Sequence, residues 1–191
     1  MILRLLRPAL CLLVVMTGLL GIASPLLVTG ITRLAFPSQA AGSLVYQGGK
    51  PIGSSLIGQQ FSDPKYFWGR PSATMPAPYN GLASSGSNLG PLNPALLDQV
   101  RLHVATLRAN DPNSRALVPV DLVTASASGL DPDISPAAAR YQIGRIAHVR
   151  GITPASLEKL VAAHEQKKLF GLLGEQRVNV LELNLALDQR R

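Results

Sequence analysis

Between Arg7 and Arg33 the chain runs for 25 residues, Pro8 to Thr32, without a single charge. As a helix this run spans about 37 Å at ~1.5 Å per residue, against a bilayer core of about 30 Å. It is long enough to cross with tilt or a bend, and Pro25 is the expected place for the bend. A cleavable signal sequence has an apolar stretch of only about 7–15 residues, so this run is too long for one, although Gln39-Ala40-Ala41 offers small residues suited to cleavage. A buried core helix needs a polar face to set its register, and this run has none. The expected organisation is therefore an anchor over 1–33, a linker over 34–42 and one soluble domain over 43–191. Arg4 and Arg7 precede the run, and the positive-inside rule puts the amino terminus in the cytoplasm and the domain outside.

Charge and cysteine narrow the function classes. The net charge is +7 over 191 residues, and Arg4, Arg7 and Arg33 at the anchor account for three of the eighteen basic residues. The remaining fifteen against eleven acidic residues are scattered, which argues against nucleic acid as a partner. One cysteine, Cys11, excludes an internal disulfide and a cysteine-based zinc site.

The domain reads as α+β. Leu44-Val45-Tyr46 and Leu56-Ile57 look like two short strands about a turn at Gly48-Gly49-Lys50-Pro51. Asp63 to Asn93 is rich in Pro, Gly, Ser and Asn, and Tyr66, Phe67 and Trp68 favour order at its start. Three helices are announced by a capping side chain followed by proline: Asn93-Pro94, Ser135-Pro136 and Thr153-Pro154. They are expected to run to about Arg108, Arg150 and Lys168, with Lys167 and Lys168 favouring the negative end of the third dipole. Val118 to Ala125 reads as a buried strand. The segment after Asn179 fits a strand by its alternating leucines and a helix by Val180, Leu183, Asn184 and Leu187. Asn179 and Glu182 form a capping-box pattern, which favours the helix.

Chemistry is sparse. There is no phosphate-loop motif, no nucleophile elbow and no HExxH pair. Ser84, Ser85, Ser87 and Asn88 form the nearest thing to a phosphate cradle, and a polar turn is the better explanation of them. His103, His148 and His164 are far apart in sequence. Asp131 and Asp133 suit a turn ahead of the helix that starts after Ser135. Tyr66, Trp68 and Arg70 are the residue types that dominate protein interfaces.

Four long segments carry a family resemblance: FSDPKYFWGRPSA (61–73), PYNGLASSGSNLGPLNP (78–94), VDLVTASASGLDPDISPAAARYQIGRIA (120–147) and RVNVLELNLALD (177–188). The chain resembles the C subunit of the Kdp potassium-importing ATPase of bacteria. That family implies a subunit of a bacterial inner-membrane complex, and the charge-based orientation given above then makes the chain single-pass with an extracytoplasmic, periplasmic domain. Its partners are a potassium-channel-like subunit, a P-type ATPase subunit and the lipid bilayer. The implied role is accessory and non-catalytic: a catalytic chaperone that supports assembly and raises the ATP affinity of the pump subunit. No cofactor is expected on this chain itself, with ATP reached only through the complex. The alternative is direct nucleotide contact through Ser84–Asn88. Candidate interface residues are Tyr66, Trp68, Arg70, Asn80, Asp131 and Gln142, and Trp68→Ala is expected to loosen the complex without disturbing the fold. The family pattern usually carries histidine between Pro132 and Ile134, where this chain has Asp133.

Overall fold

The computed structural model describes residues 2–190. It divides into two compact units, Met1–Pro51 and Ile52–Arg191. The first begins with one unbroken helical rod made of α1 (Ile2–Met16), a π-helical stretch (Thr17–Ala23) and α2 (Ser24–Ala35). Arg4–Ala35 is long and apolar enough to cross a membrane, and none of its hydrophobic length is buried in protein. Pro25 lies in the first turn of α2, where a missing N–H costs little. The irregularity falls ahead of it, where the Ser24 N–H reaches back five residues to the Leu19 carbonyl. The Thr32 hydroxyl donates to the Val28 carbonyl at 2.9 Å, so this polar group needs no water.

A short helix, α3 (Pro37–Ala40), leads to the hairpin of β1 (Leu44–Gln47) and β2 (Lys50–Ser54). Its turn is Gly48-Gly49, with φ of +58° and +77°, the left-handed geometry that suits a two-residue hairpin. Leu56 and Ile57 are not a strand. They lie in a turn closed by Ile57 N–H to the Ser54 carbonyl at 3.3 Å, and Leu56 is exposed.

The second unit contains α4 (Pro94–Asn110), a 3₁₀ turn (Val120–Leu122), β3 (Asp133–Ile134), α5 (Pro136–Tyr141), α6 (Ile143–Arg150), α7 (Pro154–His164), β4 (Glu165–Gln166), β5 (Arg177–Asn179) and α8 (Val180–Asp188). The strands form one antiparallel sheet in the order β3-β5-β4, with Ile134 opposite Val178 and Glu165 opposite the same residue on the other side. The caps form as the sequence requires. Asn93, Ser135, Thr153 and Asn179 accept from the N–H groups of Ala95, Ala138, Ser156 and Glu182. The core gathers Phe67, Ile146, Leu157, Leu160, Leu183 and Leu187, all essentially sealed from solvent.

Three expectations give way. Val118 to Ala125 is buried at Leu122 and Val123, yet it is not a strand. Leu122 N–H bonds to Pro119 O and Val123 N–H to Val120 O, both at 3.1 Å, because Pro119 sets a turn and the chain then coils on itself. The Pro136–Arg150 helix is broken at Gln142. Its side-chain Nε2 donates to the Ala138 carbonyl at 3.3 Å, the acceptor its own N–H needs, and that N–H turns to Ala139 O at 3.1 Å. The third helix ends at His164, not Lys168. The next two residues join the sheet as β4, so Lys167 and Lys168 lie beyond it rather than in a last helical turn.

Candidate functional site

Residues 61–93 have almost no regular structure, so their backbone polar groups must find partners elsewhere. They find them in buried side chains of α6 and α8 and of the Gln142 break. Phe67 N–H donates to Asn184 Oδ1 at 2.8 Å, and Asn184 Nδ2 donates back to the Phe67 carbonyl at 2.9 Å. Trp68 is held the same way: its N–H donates to Gln142 Oε1 at 2.8 Å and Gln142 Nε2 returns to its carbonyl at 3.1 Å. Each amide copies the pairing a neighbouring strand would give. Phe67 can therefore bury its ring fully without orphaning its backbone.

Arg145 completes the clamp. It is 4 % exposed, and its guanidinium donates to the carbonyls of Pro64 and Tyr66 and to Gln142 Oε1. It also lies 4.1 Å from the centre of the Trp68 ring, a cation–π contact. Burial lowers its pKa to about 10, with Asp111 and Asp63 opposing the fall, so it stays charged at neutral pH. Nearby, Arg150 donates to the Lys65 carbonyl and pairs with Asp188 at 2.7 Å, and Asp188 also receives the Tyr66 hydroxyl at 2.9 Å.

The second half of the segment folds on its own hydroxyls. Arg70 pairs with Asp131 at 3.0 Å. Tyr79 donates to the Arg70 carbonyl, and its phenol is pushed up to about 12 by burial first and Asp131 second. Ser72 donates to Gly129 O at 2.7 Å and receives Tyr79 N–H at 2.9 Å. Asn80 bridges the Met75 carbonyl and the Leu82 N–H, which leaves Leu82 projecting with 99 % of its surface exposed. Ser84 Oγ and Ser85 N–H both donate to the Ser128 carbonyl at 3.0 Å. Ser85 Oγ donates to the Gly86 carbonyl. The hydroxyls of Ser84 and Ser85 thus bond to backbone carbonyls of the fold, while Ser87 faces the cleft described below. Asn88 sits at φ +52°, a turn position its short amide tolerates.

Between this segment, α4 and residues 122–125 lies a cleft of about 500 Å³, walled by Phe61, Trp68, Tyr79, Leu96 and Leu107, with His103 on its rim and Ser87 at one side. Burial lowers the His103 pKa, which favours the neutral ring. No group of three His, Cys, Asp or Glu able to hold a metal ion occurs among the described residues.

The structure thus brings Trp68 together with Gln142 and Arg70 with Asp131, and leaves Asn80 as the brace of a separate turn. Gln142 is 1 % exposed and acts through the Trp68 backbone. Trp68 also packs against Arg145, so Trp68→Ala is expected to disturb the domain as well as any interface. The sequence places Asn184 on a helical face but marks neither it nor Arg145 as a site residue. Their signal is a polar or charged residue on an otherwise apolar helix face, where burial demands a partner.

Asp131 Oδ1 accepts the Asp133 N–H at 3.1 Å, the expected turn. Asp133 pairs with Arg177 at 3.0 Å, and burial still raises its carboxyl above the ordinary value of 3.8. A raised folded-state pKa gives stability that is full below the unfolded value and lost as pH rises through the folded one. The urea midpoint of the parent chain is therefore expected to fall relative to that of Asp133→Asn as pH climbs from below 3.8 toward neutrality. A difference that does not change with pH refutes this.

A family model described as KdpC: K+-transporting ATPase, c chain, matches residues 6–189. The chain is 66% identical over 182 residues to the potassium-transporting ATPase KdpC subunit of Variovorax paradoxus, covering 95% of this chain and 94% of the relative. It is 64% identical to the subunit of the same description from Polaromonas naphthalenivorans, covering 97% and 94%, and 61% identical to that of Sorangium cellulosum, covering 97% and 98%.

Proposed function

The chain belongs to the KdpC family, the c chain of K+-transporting ATPase, and on that premise we propose that it is a non-catalytic accessory subunit held in the bacterial inner membrane by its single helix. The amino terminus is cytoplasmic and the domain periplasmic. Its partners are the potassium-channel-like subunit and the P-type ATPase subunit. A periplasmic domain does not touch cytoplasmic nucleotide, so any gain in ATP affinity is allosteric, on the usual scale of about 1–3 kcal/mol.

One observation favours this over direct ATP binding: Ser84 Oγ and the Ser85 N–H are both committed to the Ser128 carbonyl. The rigid segment they belong to suits docking, because its conformation is fixed before a partner arrives. The candidate interface centres on the turn braced by Asn80, with Leu82 at its tip and Tyr66, Trp68 and Arg70 on the same segment.

Two measurements test the reading. Calorimetry of the full-length chain with Mg-ATP is expected to give no binding heat, and saturable heat at millimolar nucleotide overturns the accessory assignment in favour of a nucleotide module. Leu82→Glu leaves the fold intact, since the side chain touches little. It is expected to weaken assembly with the other subunits by roughly tenfold or more, about 1.4 kcal/mol or above. An intact complex with unchanged potassium-stimulated ATPase removes this turn from the interface.

A further inference from the structure

Residues 167–175 form a hairpin whose four large apolar side chains all face solvent. Leu169, Phe170, Leu172 and Leu173 are each more than half exposed, Phe170 by 86 %. Other highly exposed apolar residues of this unit, such as Leu92 and Leu117, stand singly, which is ordinary for a protein surface. A contiguous apolar tip is not.

The backbone of the tip bonds largely to itself through its N–H groups. Leu169 and Leu173 exchange both hydrogen bonds, at 2.8 and 3.0 Å. Gly171 N–H bonds to the Lys168 carbonyl and Leu172 N–H to that of Leu169. The hairpin closes with φ of +54° at Phe170 and +75° at Gly171. A bulky residue held in that region is costly, and the turn it permits drives the side chains outward. Four of the five N–H groups of residues 169–173 are thus bonded within the tip, which lowers the cost of moving it from bulk water into the interface. Lys167 and Lys168 stand at the base, against Glu175, which pairs with Lys168 at 3.1 Å. Their long stems keep an ammonium among headgroups while the carbon body lies along apolar surface.

We propose that the 169–173 hairpin is a second membrane contact, a tip that inserts into the headgroup region of an anionic bilayer. Lipid is the occupant because the chain carries its own. The reading of Arg4–Ala35 as a span, on which this inference rests, fixes the domain to one bilayer. Sixteen residues, 36–51, separate Ala35 from the second unit, at most about 56 Å of extended chain. A unit of that size has a radius of gyration of about 14 Å. A tether of that length confines the tip to the neighbourhood of the bilayer that holds the span, so a weak apolar contact acts at high effective concentration. The excess of lysine over glutamate at the base matches an anionic surface.

The test uses the full chain, alone, in vesicles containing phosphatidylglycerol. Spin labels are placed on native Cys11, and on Phe170→Cys, Leu172→Cys and Leu117→Cys in a Cys11→Ser background. Collisions with oxygen, which dissolves in lipid, are compared with collisions with a water-soluble nickel chelate. Oxygen is expected to dominate at 170 and 172 and the chelate at 117, and the combined Lys167→Gln and Lys168→Gln change is expected to shift 170 toward the chelate. Labels at 170 and 172 that behave like 117 overturn the proposal, while a lipid-buried Cys11 in the same vesicles shows that the anchor stands. Shielding at 170 that appears only when the other subunits are added also overturns it, because the occupant is then protein. A Cys11 label in water removes the anchor and the proposal together.

Discussion

Arg145→Ala is expected to lower the stability of the Ile52–Arg191 unit by about 3–5 kcal/mol, with a fall in midpoint temperature of about 10 °C. The change removes the donor from the half-buried carbonyls of Pro64 and Tyr66 and from the buried Gln142 amide. It also strips the Trp68 ring of its cation. Lysine is a poor replacement, because one ammonium on a flexible stem cannot serve three acceptors spread around a planar fork. Arg145→Lys is expected to recover less than half of the loss. The comparison is Arg140, which pairs with both Glu158 and Glu165 but lies at the surface. Arg140→Ala is expected to cost less than about 1 kcal/mol. Urea titration of the three variants decides the matter. If Arg145→Ala lies within about 1 kcal/mol of the parent, the clamp is not what holds this segment.

Gly129→Ala is the second large effect, expected at about 3 kcal/mol or more. Gly129 has φ +67°, and a Cβ there meets the Ser85 carbonyl at 2.6 Å and Thr74 Cγ2 at 2.7 Å. Backbone strain and steric clash act together, and the clash falls where the Ser84–Asn88 loop is stitched to the 126–129 turn. Gly151 has the same φ of +67° with nothing within 4 Å of its Cβ position. Gly151→Ala is therefore expected to show the conformational cost alone, about 1 kcal/mol. The difference between the two isolates the closure of the loop. Faster amide exchange at Ser85 in Gly129→Ala, but not in Gly151→Ala, is the confirming sign. Equal effects on stability refute it.

How much was legible follows from the range of the forces involved. The long apolar helix could be read because a helix able to cross lipid is recognised from a run of consecutive residues alone. The starts of α4, α5, α7 and α8 could be read because a cap is a bond between neighbours: Asn179 accepts from Glu182, three residues on. Helix ends were harder. α7 stops at His164 because β5 claims Glu165 and Gln166, and β5 lies beyond the hairpin. Val118 to Ala125 shows the same limit, since its burial was visible in its composition while its backbone shape was not. The family resemblance added the assembly, which no local pattern contains.

The sequence by itself determined the apolar run long enough to cross a membrane, the capped starts of the helices and the apolar faces that build the core. Only the tertiary structure decided how residues 61–93 are held. Phe67 meets Asn184 across 117 positions, and Trp68 meets Gln142 across 74. Such bonds form because burying an aromatic drags its backbone out of water, and whichever amide the fold brings alongside must replace that water.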